Sequence, residues 1–213
     1  MKRMIILIMI SITISLLFSG CTKKEIENKP KPLVVAMELQ FPPFETTDTN
    51  GEPIGISVEI AKELAAYLGR PLEIKNTSWT GLIPSLQTGK ADIVISSMTI
   101  TKERAKVVNF SDPYASSGLT LLINKNSKIN SFDDLDLEGA TIAVKSGTVG
   151  AILAQETLKK ANIRLLDEVS TCVLEVSQGK ADAFIYDALT VFENYKKHKE
   201  TTRINLKSIS GTD

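Results

Sequence analysis

The densest run of polar side chains in the sequence reads ISSMTITKER and ends at Arg104. Ser96, Ser97 and Thr99 supply hydroxyl and backbone N–H groups where an apolar strand should give way to a helix. Arg104 falls in the first turn of that helix, and a guanidinium there could hold a carboxylate through two hydrogen bonds. The same spacing also suits a plain capped helix whose arginine is solvated. The spacing of the residues favours these two interpretations equally.

A second candidate anion site and a candidate cation site follow later in the chain. The stretch KSGTVG places Thr148 at the start of a predicted helix, whose free N–H groups and dipole attract negative charge. This stretch lacks the pattern of a phosphate-binding loop. Asp187 ends the strand-like run FIYD, where it could hold an ammonium group or only cap the next helix.

Aromatic residues lie at predicted loop boundaries, but the groups needed for catalysis are scarce. Phe41 and Trp79 could pack at the edge of a core or sandwich a ligand side chain. Cys172 reads as a small apolar residue of a helix, and the one histidine, His198, lies in the charged stretch YKKHKE. No cluster has the spacing of metal ligands. The polar groups therefore favour binding over proton transfer.

Strands alternate with helices twice along the chain, which predicts an α/β fold with parallel sheets and crossover connections. A first helix should begin with Ser57 as its cap and end at Gly69. The clearest strand-like runs are 33–39, 72–76, 119–125 and 140–145.

The tetrapeptide GKAD occurs twice, starting at Gly89 and at Gly179, each time after a helix-like stretch and before an apolar run. Both glycines should end helices in the left-handed conformation that only glycine adopts cheaply. Ser97 and Asp187 each lie five residues after the aspartate of their own repeat. Since ligands of such sheets bind beyond the carboxyl ends of the strands, the repetition predicts two lobes that face one cleft.

The N-terminal residues 1–20 read as a secretory signal peptide, because Lys2 and Arg3 precede an apolar run that is too short for a good membrane span. The small residues before Cys21 favour a bacterial lipoprotein, in which this cysteine carries lipid, over an ordinary signal peptide. Residues 21–32, with the lipidated cysteine at their start, would form a polar, flexible tether.

Composition narrows the class of protein further. Lysine and arginine together number 25, as do aspartate and glutamate, and no basic stripe points to nucleic acid. The length suits one large domain or two small lobes. If Cys21 carries lipid, Cys172 has no partner for a disulfide.

Together these residues form a pattern that resembles one known family. The runs LQFPPFE, NGEPIGISVEIAKEL, GLIPSLQTGKADIVISSMTITKERAKVVNFSDPY, GATIAVKSGTVG and GKADAFIYDA are similar to the bacterial extracellular solute-binding proteins, family 3. SSMTITKER followed by NFSDPY is the most specific signature, and the resemblance runs from about Leu33 to the C-terminus. It implies the type II periplasmic-binding-protein fold, in which two α/β lobes joined by a hinge close over one amino acid.

The resemblance also implies how the chain is divided. A first lobe would occupy 33–118, a second lobe 119–205, and residues 206–213 would begin a strand that returns to the first lobe. Members of the family usually continue beyond this point. We therefore expect the C-terminal part of the first lobe to be missing from this sequence.

Carried over by position, the resemblance implies a role for each candidate residue. Arg104 would pair with the α-carboxylate of the ligand, helped by Ser97, Thr99 and Thr148. Asp187 would hold the α-ammonium group. Arg104 and Thr148 would come from opposite lobes, so the ligand would stabilise the closed form.

The side-chain specificity rests on fewer residues. Phe41 and Trp79 would pack on the ligand side chain. Many members have an aspartate where this chain has Ser57, which weakens the case for lysine or arginine as the ligand. Glu38 occupies a position near the cleft that is often acidic and keeps that case open. The residues favour a neutral polar amino acid such as glutamine, with a basic one possible.

The resemblance implies a periplasmic receptor, monomeric and lipid-anchored, that works with an ABC permease and ATPase and needs no cofactor or metal. Such a protein is not an enzyme. The alternatives are a truncated homologue that does not bind, a sensory ligand-binding module, and an envelope enzyme of the dehydratase type on the same fold.

Overall fold

A small parallel sheet forms the first half of the part that this computed structural model describes, residues 30–205. Its elements are β1 (Leu33–Met37), β2 (Thr46–Thr47), β3 (Pro53–Ile54), α1 (Ile56–Tyr67), β4 (Leu72–Asn76), a 3-10 turn (Trp79–Gly81), α2 (Leu82–Gln87), β5 (Ile93–Val94) and α3 (Lys102–Ala105). β1 lies between β4 and β5 and runs parallel to both. β2 and β3 form a separate small hairpin.

A larger sheet forms the second half. Its elements are β6 (Leu119–Asn124), a 3-10 turn (Phe132–Asp134), β7 (Thr141–Lys145), α4 (Val149–Thr157), β8 (Asn162–Leu166), α5 (Val169–Ser177), β9 (Ala183–Asp187), α6 (Ala188–His198) and β10 (Thr202–Asn205). The strand order is β10-β6-β9-β7-β8. We call the two halves the first lobe and the second lobe.

The second sheet corrects the prediction of purely parallel sheets. β7 is parallel to β8 and β9, but β6 is antiparallel to both of its neighbours, β9 and β10. The strands β7, β8 and β9, which α4 and α5 connect, run in one direction, as expected for strands joined by crossover helices. β6 enters from the first lobe instead of through a crossover helix of its own sheet, so nothing forces it into the common direction.

Apolar side chains cover both faces of each sheet. In the first lobe, Val35 and Met37 pack against Val58 of α1, whereas Ala36 faces Leu82 of α2. All six residues of β6 are buried, as expected for a strand with helices on both sides. Among residues 30–205, no helix combines the length and the apolar character needed to cross a membrane.

The glycines of the two GKAD repeats adopt the predicted conformation. Gly89 has φ 69° and Gly179 has φ 72°, and each follows the last residues of a helix. The predicted cap of α1 is wrong. Gly55 precedes that helix, and the buried Ser57 lies within it and donates a hydrogen bond to the Glu45 carboxylate instead of capping.

The aspartates of the repeats make matching contacts that the sequence did not reveal. The Asp92 N–H donates to the Val34 carbonyl at 2.8 Å, and its carboxylate accepts the Val34 N–H at 3.0 Å. Asp182 repeats this two-way exchange with Thr141 at 2.7 and 2.9 Å. Each repeat thus ties the start of a strand to the neighbouring strand of its own sheet.

One glycine of the first lobe has no room for a side chain. Gly55 has φ 123°, and a Cβ placed there would lie 2.3 Å from the Phe44 carbonyl oxygen. Gly51 also has a positive φ, 85°, but has no atom within 4 Å of such a Cβ. The loop around Phe44 therefore packs directly on the start of α1.

Replacing Gly55 by alanine should lower the free energy of unfolding by about 3 kcal/mol or more, because backbone strain and a steric overlap add. The matched Gly51→Ala variant carries only the strain and should lose about 1 kcal/mol. Urea unfolding of both variants measures the difference. Equal losses would show that the loop yields to the added methyl group.

Candidate functional site

The structure brings all of the predicted site residues to one cleft between the lobes. The side chains that line it and that the sequence predicted are Glu38, Phe41, Trp79, Ser96, Ser97, Thr99, Arg104, Thr148 and Asp187. Most of them follow the carboxyl ends of β1, β4, β5, β7 and β9. Such edges are where ligands bind in open α/β sheets. Cys21, the predicted lipidation site, lies outside the described residues.

Arg104 is a buried cleft residue, and only 8% of it is exposed. It lies in α3, whose N-terminus is capped by Thr101, but its guanidinium is buried, which contradicts the interpretation of a solvated arginine. Its guanidinium donates to the Thr99 carbonyl at 2.6 Å and to the Gly147 carbonyl at 3.0 Å, and it lies 5.4 Å from the ring centre of Trp79. Burial lowers the pKa of Arg104. Two of its five N–H groups make these bonds, which leaves donors for a carboxylate.

Trp79 joins the two lobes directly. Its indole Nε1 donates to the Gly147 carbonyl at 2.9 Å, the same oxygen that Arg104 uses. The left-handed conformation of Gly147, with φ 72°, turns this carbonyl after the end of β7. The ring therefore contacts the second lobe, in addition to its predicted place on the wall of the cleft.

A buried ion pair joins the two lobes, and the sequence analysis did not predict it. The Lys145 ammonium group donates to Oε2 of Glu38, and these residues are 1% and 7% exposed. Oε1 of Glu38 accepts the backbone N–H of Trp79 at 3.1 Å, so both carboxylate oxygens have partners. A lysine at the end of a mostly apolar strand run, as in ATIAVK, was the available signal. Its significance depends on a partner more than a hundred positions away.

Glu45, Val149 and Tyr186 complete the lining and were also not predicted. Glu45 is 1% exposed, and its Oε2 accepts hydrogen bonds from Ser57 at 2.5 Å and from Ser97 at 3.0 Å. A backbone bridge with Phe41 folds its loop back to the cleft. Burial raises the pKa of Glu45 to about 7, against the lowering effect of the two serine hydroxyls.

Asp187 lies at the opposite side of the cleft from Arg104, at the end of β9 in the second lobe. Its side chain makes no capping bond to α6, which disfavours the helix-cap interpretation. Burial raises the pKa of Asp187, and a hydrogen bond with Ser117 opposes this shift. The ring of neighbouring Tyr186 meets Phe41 edge-on at 6.3 Å.

The described residues show no alternative chemical centre. Within 30–205, no group of three or more His, Cys, Asp and Glu side chains is arranged to hold a metal ion. Cys172 lies on the buried face of α5, and burial raises the pKa of its thiol to about 12, which suits an inert core residue. His198 is the last residue of α6 and is absent from the cleft lining.

Comparisons with known proteins agree with this geometry. The sequence model of the bacterial extracellular solute-binding proteins, family 3, matches residues 33–188. The L-cystine-binding protein TcyJ of Escherichia coli (strain K12) is 31% identical over 178 residues, covering 84% of this chain and 67% of that protein.

Solved structures share the architecture. The arginine-bound form of truncated ArgBP from T. maritima matches with a TM-score of 0.76 at 39% identity, covering 84% of this chain and 83% of that one. The ancestral amino acid-binding protein AncCDT-1, a precursor of cyclohexadienyl dehydratase, matches with a TM-score of 0.73 at 42% identity, covering 81% and 76%. The type II periplasmic-binding fold predicted from the sequence is confirmed.

The Glu38–Lys145 pair should hold the lobes together even without ligand. Removing one partner of a buried pair costs roughly 3–5 kcal/mol, so Lys145→Met should disfavour the contact between the lobes. The lobes can lower this cost by separating, which exposes Glu38 to water. The radius of gyration, measured by small-angle X-ray scattering without added ligand, should therefore increase.

The double variant Glu38→Leu, Lys145→Met is the matched control. It replaces both charges by apolar groups, which is often nearly neutral for stability, and it should restore the compact scattering profile. An unchanged profile for Lys145→Met alone would mean that the pair contributes nothing to closure.

Proposed function

Because the chain belongs to the bacterial extracellular solute-binding proteins, family 3, we propose that it captures a polar amino acid by closure of its two lobes and delivers it to an ABC transporter permease. The observation that carries the proposal is one cleft with a buried arginine on one lobe and a half-buried aspartate on the other, Arg104 and Asp187. These charges match the α-carboxylate and the α-ammonium group of a free amino acid.

The ligand side chain is proposed to be neutral and polar, as in glutamine. Glu38 is the acidic residue that was expected near the cleft from the sequence. Its carboxylate already forms an ion pair with Lys145 and accepts a hydrogen bond from the backbone N–H of Trp79. A cationic side chain would have to compete with the Lys145 ammonium group for this carboxylate. A carboxamide needs no net charge in the cleft wall and can both donate and accept hydrogen bonds.

A basic amino acid is the second candidate, and Glu45 is the observation that favours it. This buried carboxyl lines the cleft, and among the described residues its side-chain contacts are to hydroxyl groups, with no cation in an ion pair. A guanidinium or ammonium group of the ligand could supply the missing charge. The similar fold of the arginine-bound structure of ArgBP from T. maritima agrees with a basic ligand.

The place of action is proposed to be the outer face of the cytoplasmic membrane or the periplasm, with an anchor at Cys21. The description of the family names extracellular proteins. The lipid anchor rests on the residues before Cys21 alone. Amino-acid transport through a permease and its ATPase rests on the family.

Calorimetric titration with the twenty common amino acids should give a Kd in the micromolar range or below, roughly −8 kcal/mol of binding free energy, for a polar ligand. Glutamine as the strongest ligand would support the neutral assignment, and arginine or lysine would support the second candidate. Arg104→Ala should weaken binding roughly 100-fold because charge-assisted hydrogen bonds to the carboxylate are lost. Arg164→Ala, which breaks a surface pair with Glu175, should bind normally.

Heat from none of the twenty would reject the proposed function for this chain. If Arg104→Ala instead lowers the melting temperature strongly without ligand, the arginine is structural.

Asp187→Asn should weaken binding of the amino acid at least about tenfold, because a charge-assisted bond to the ammonium group is lost. The same variant should bind the des-amino analogue of that ligand as the wild type does. Competition calorimetry with both compounds provides the comparison. An equal loss for the two compounds would remove Asp187 from the ammonium site.

A further inference from the structure

Glu45 is a buried carboxyl to which the proposed capture of an amino acid assigns no necessary task. Its loop is held by paired backbone bonds with Phe41, at 2.7 and 3.0 Å, so its side chain points back under the cleft. Oε2 accepts the hydroxyl of Ser57 from α1 and the hydroxyl of Ser97 from the segment after β5. A single oxygen that accepts two hydroxyl protons suits an ionised carboxylate.

Ser97 is the residue on which this carboxylate acts. It has φ 50°, and it is the one residue other than glycine with positive φ among 30–205. A side chain makes this conformation unfavourable. Two bonds hold it there, from its N–H to the Tyr114 hydroxyl at 2.9 Å and from its hydroxyl to Glu45 at 3.0 Å.

The conformation of Ser97 determines where the next residues lie. After this turn, the Thr99 carbonyl accepts the Arg104 guanidinium at 2.6 Å, and the Thr101 hydroxyl caps α3. Arg104 is thus placed by the segment 97–104, and the bond between Ser97 and Glu45 fixes the start of that segment.

We propose that Glu45 is a positioning residue that holds Ser97 in its left-handed conformation, so that the grip of the segment 97–104 on a ligand carboxylate requires an ionised Glu45. This inference rests on the proposed amino-acid binding for its ligand, but the link between Glu45 and Ser97 does not. Protonation removes the negative charge, so that the charge-assisted bond from the Ser97 hydroxyl becomes a weaker neutral one and the hold on Ser97 loosens.

Several charged or titratable groups face Glu45 across the cleft. Glu38 adds a like charge from the loop after β1, and Tyr186 of β9 interacts with it electrostatically. Arg104 and Asp187 share the cleft lining, and Lys145 balances Glu38. Burial raises the pKa of Glu45 to about 7, which places its titration near neutral pH.

Two opposite pH dependences follow from this arrangement. Ligand affinity should be full above about pH 7 and should fall as the pH decreases through this value. Stability should change the other way. Because the pKa of Glu45 is raised above its ordinary value of 4.5, protonation favours the folded state, and the stabilisation is lost as the pH rises through about 7.

The test is ligand affinity and unfolding of the full chain between about pH 5.5 and pH 8.5, a range that brackets the pKa of Glu45. At high pH, Glu45→Gln should weaken binding about tenfold, since a charge-assisted bond to Ser97 becomes a neutral one. It should also remove the change in affinity near pH 7 and the fall in stability between about pH 5.5 and pH 7. A merely structural role would lower stability but leave the shape of the affinity profile unchanged.

Ser97→Gly provides the matched background, because glycine adopts the left-handed conformation without help. In that background Glu45→Gln should cost almost nothing further in affinity. In a Ser57→Ala background, which removes the other hydroxyl, it should still cost about tenfold. The same coupling should be present in the unfolding equilibrium constants without ligand.

If no amino acid binds the wild-type chain, the proposed function fails and the ligand-free unfolding cycle alone decides the role of Glu45. Coupling between Glu45 and Ser97 in that cycle supports the positioning role. No coupling with Ser97, or an affinity profile that Glu45→Gln leaves unchanged, overturns it.

Discussion

The arrangement of the cleft depends on one buried ion pair, between Glu38 of the first lobe and Lys145 of the second. Burying two charges costs several kcal/mol for each ion, so the pair persists only where geometry and further hydrogen bonds are good. The backbone N–H of Trp79 donates such a bond to the second carboxylate oxygen of Glu38. The carboxyl ends of β1 and β7 must therefore meet, and every other cleft residue is carried on strands or turns that these two ends bring together.

The two lobes reach this meeting point through the same local device. Each contains a helix that ends at a left-handed glycine and an aspartate that exchanges two hydrogen bonds with the next strand. This exchange fixes the register of parallel strands near their starting edge, and the strands then end together at the cleft. The repeated GKAD is thus a structural element at the far edge of each sheet. Its strands lead to Ser97 and Asp187, and none of its own residues lines the cleft.

Features that depend on neighbouring residues in the sequence were predicted, whereas features that depend on contacts between distant residues were not. The helix ends at Gly89 and Gly179, the helix that starts at Thr148 and the polar residues after the strands depend on neighbours within a few positions, and the structure has them as predicted. The reversed direction of β6 and the true partner of Ser57 depend on contacts between distant segments. Lys145 and Glu45 were missed for the same reason, since a lone lysine or glutamate gains its meaning only from the group it faces.

The Gly147 carbonyl explains why a carboxylate ligand would favour closure. This oxygen of the second lobe accepts bonds from both the Trp79 indole and Arg104 of the first lobe, which uses both of its lone pairs. A neutral carbonyl binds a guanidinium more weakly than a carboxylate does. A ligand carboxylate held between the lobes would give Arg104 the stronger partner and leave Gly147 to Trp79 alone. Its contribution exists only when both lobes contact it, and such a differential interaction is what shifts a conformational equilibrium toward the closed form.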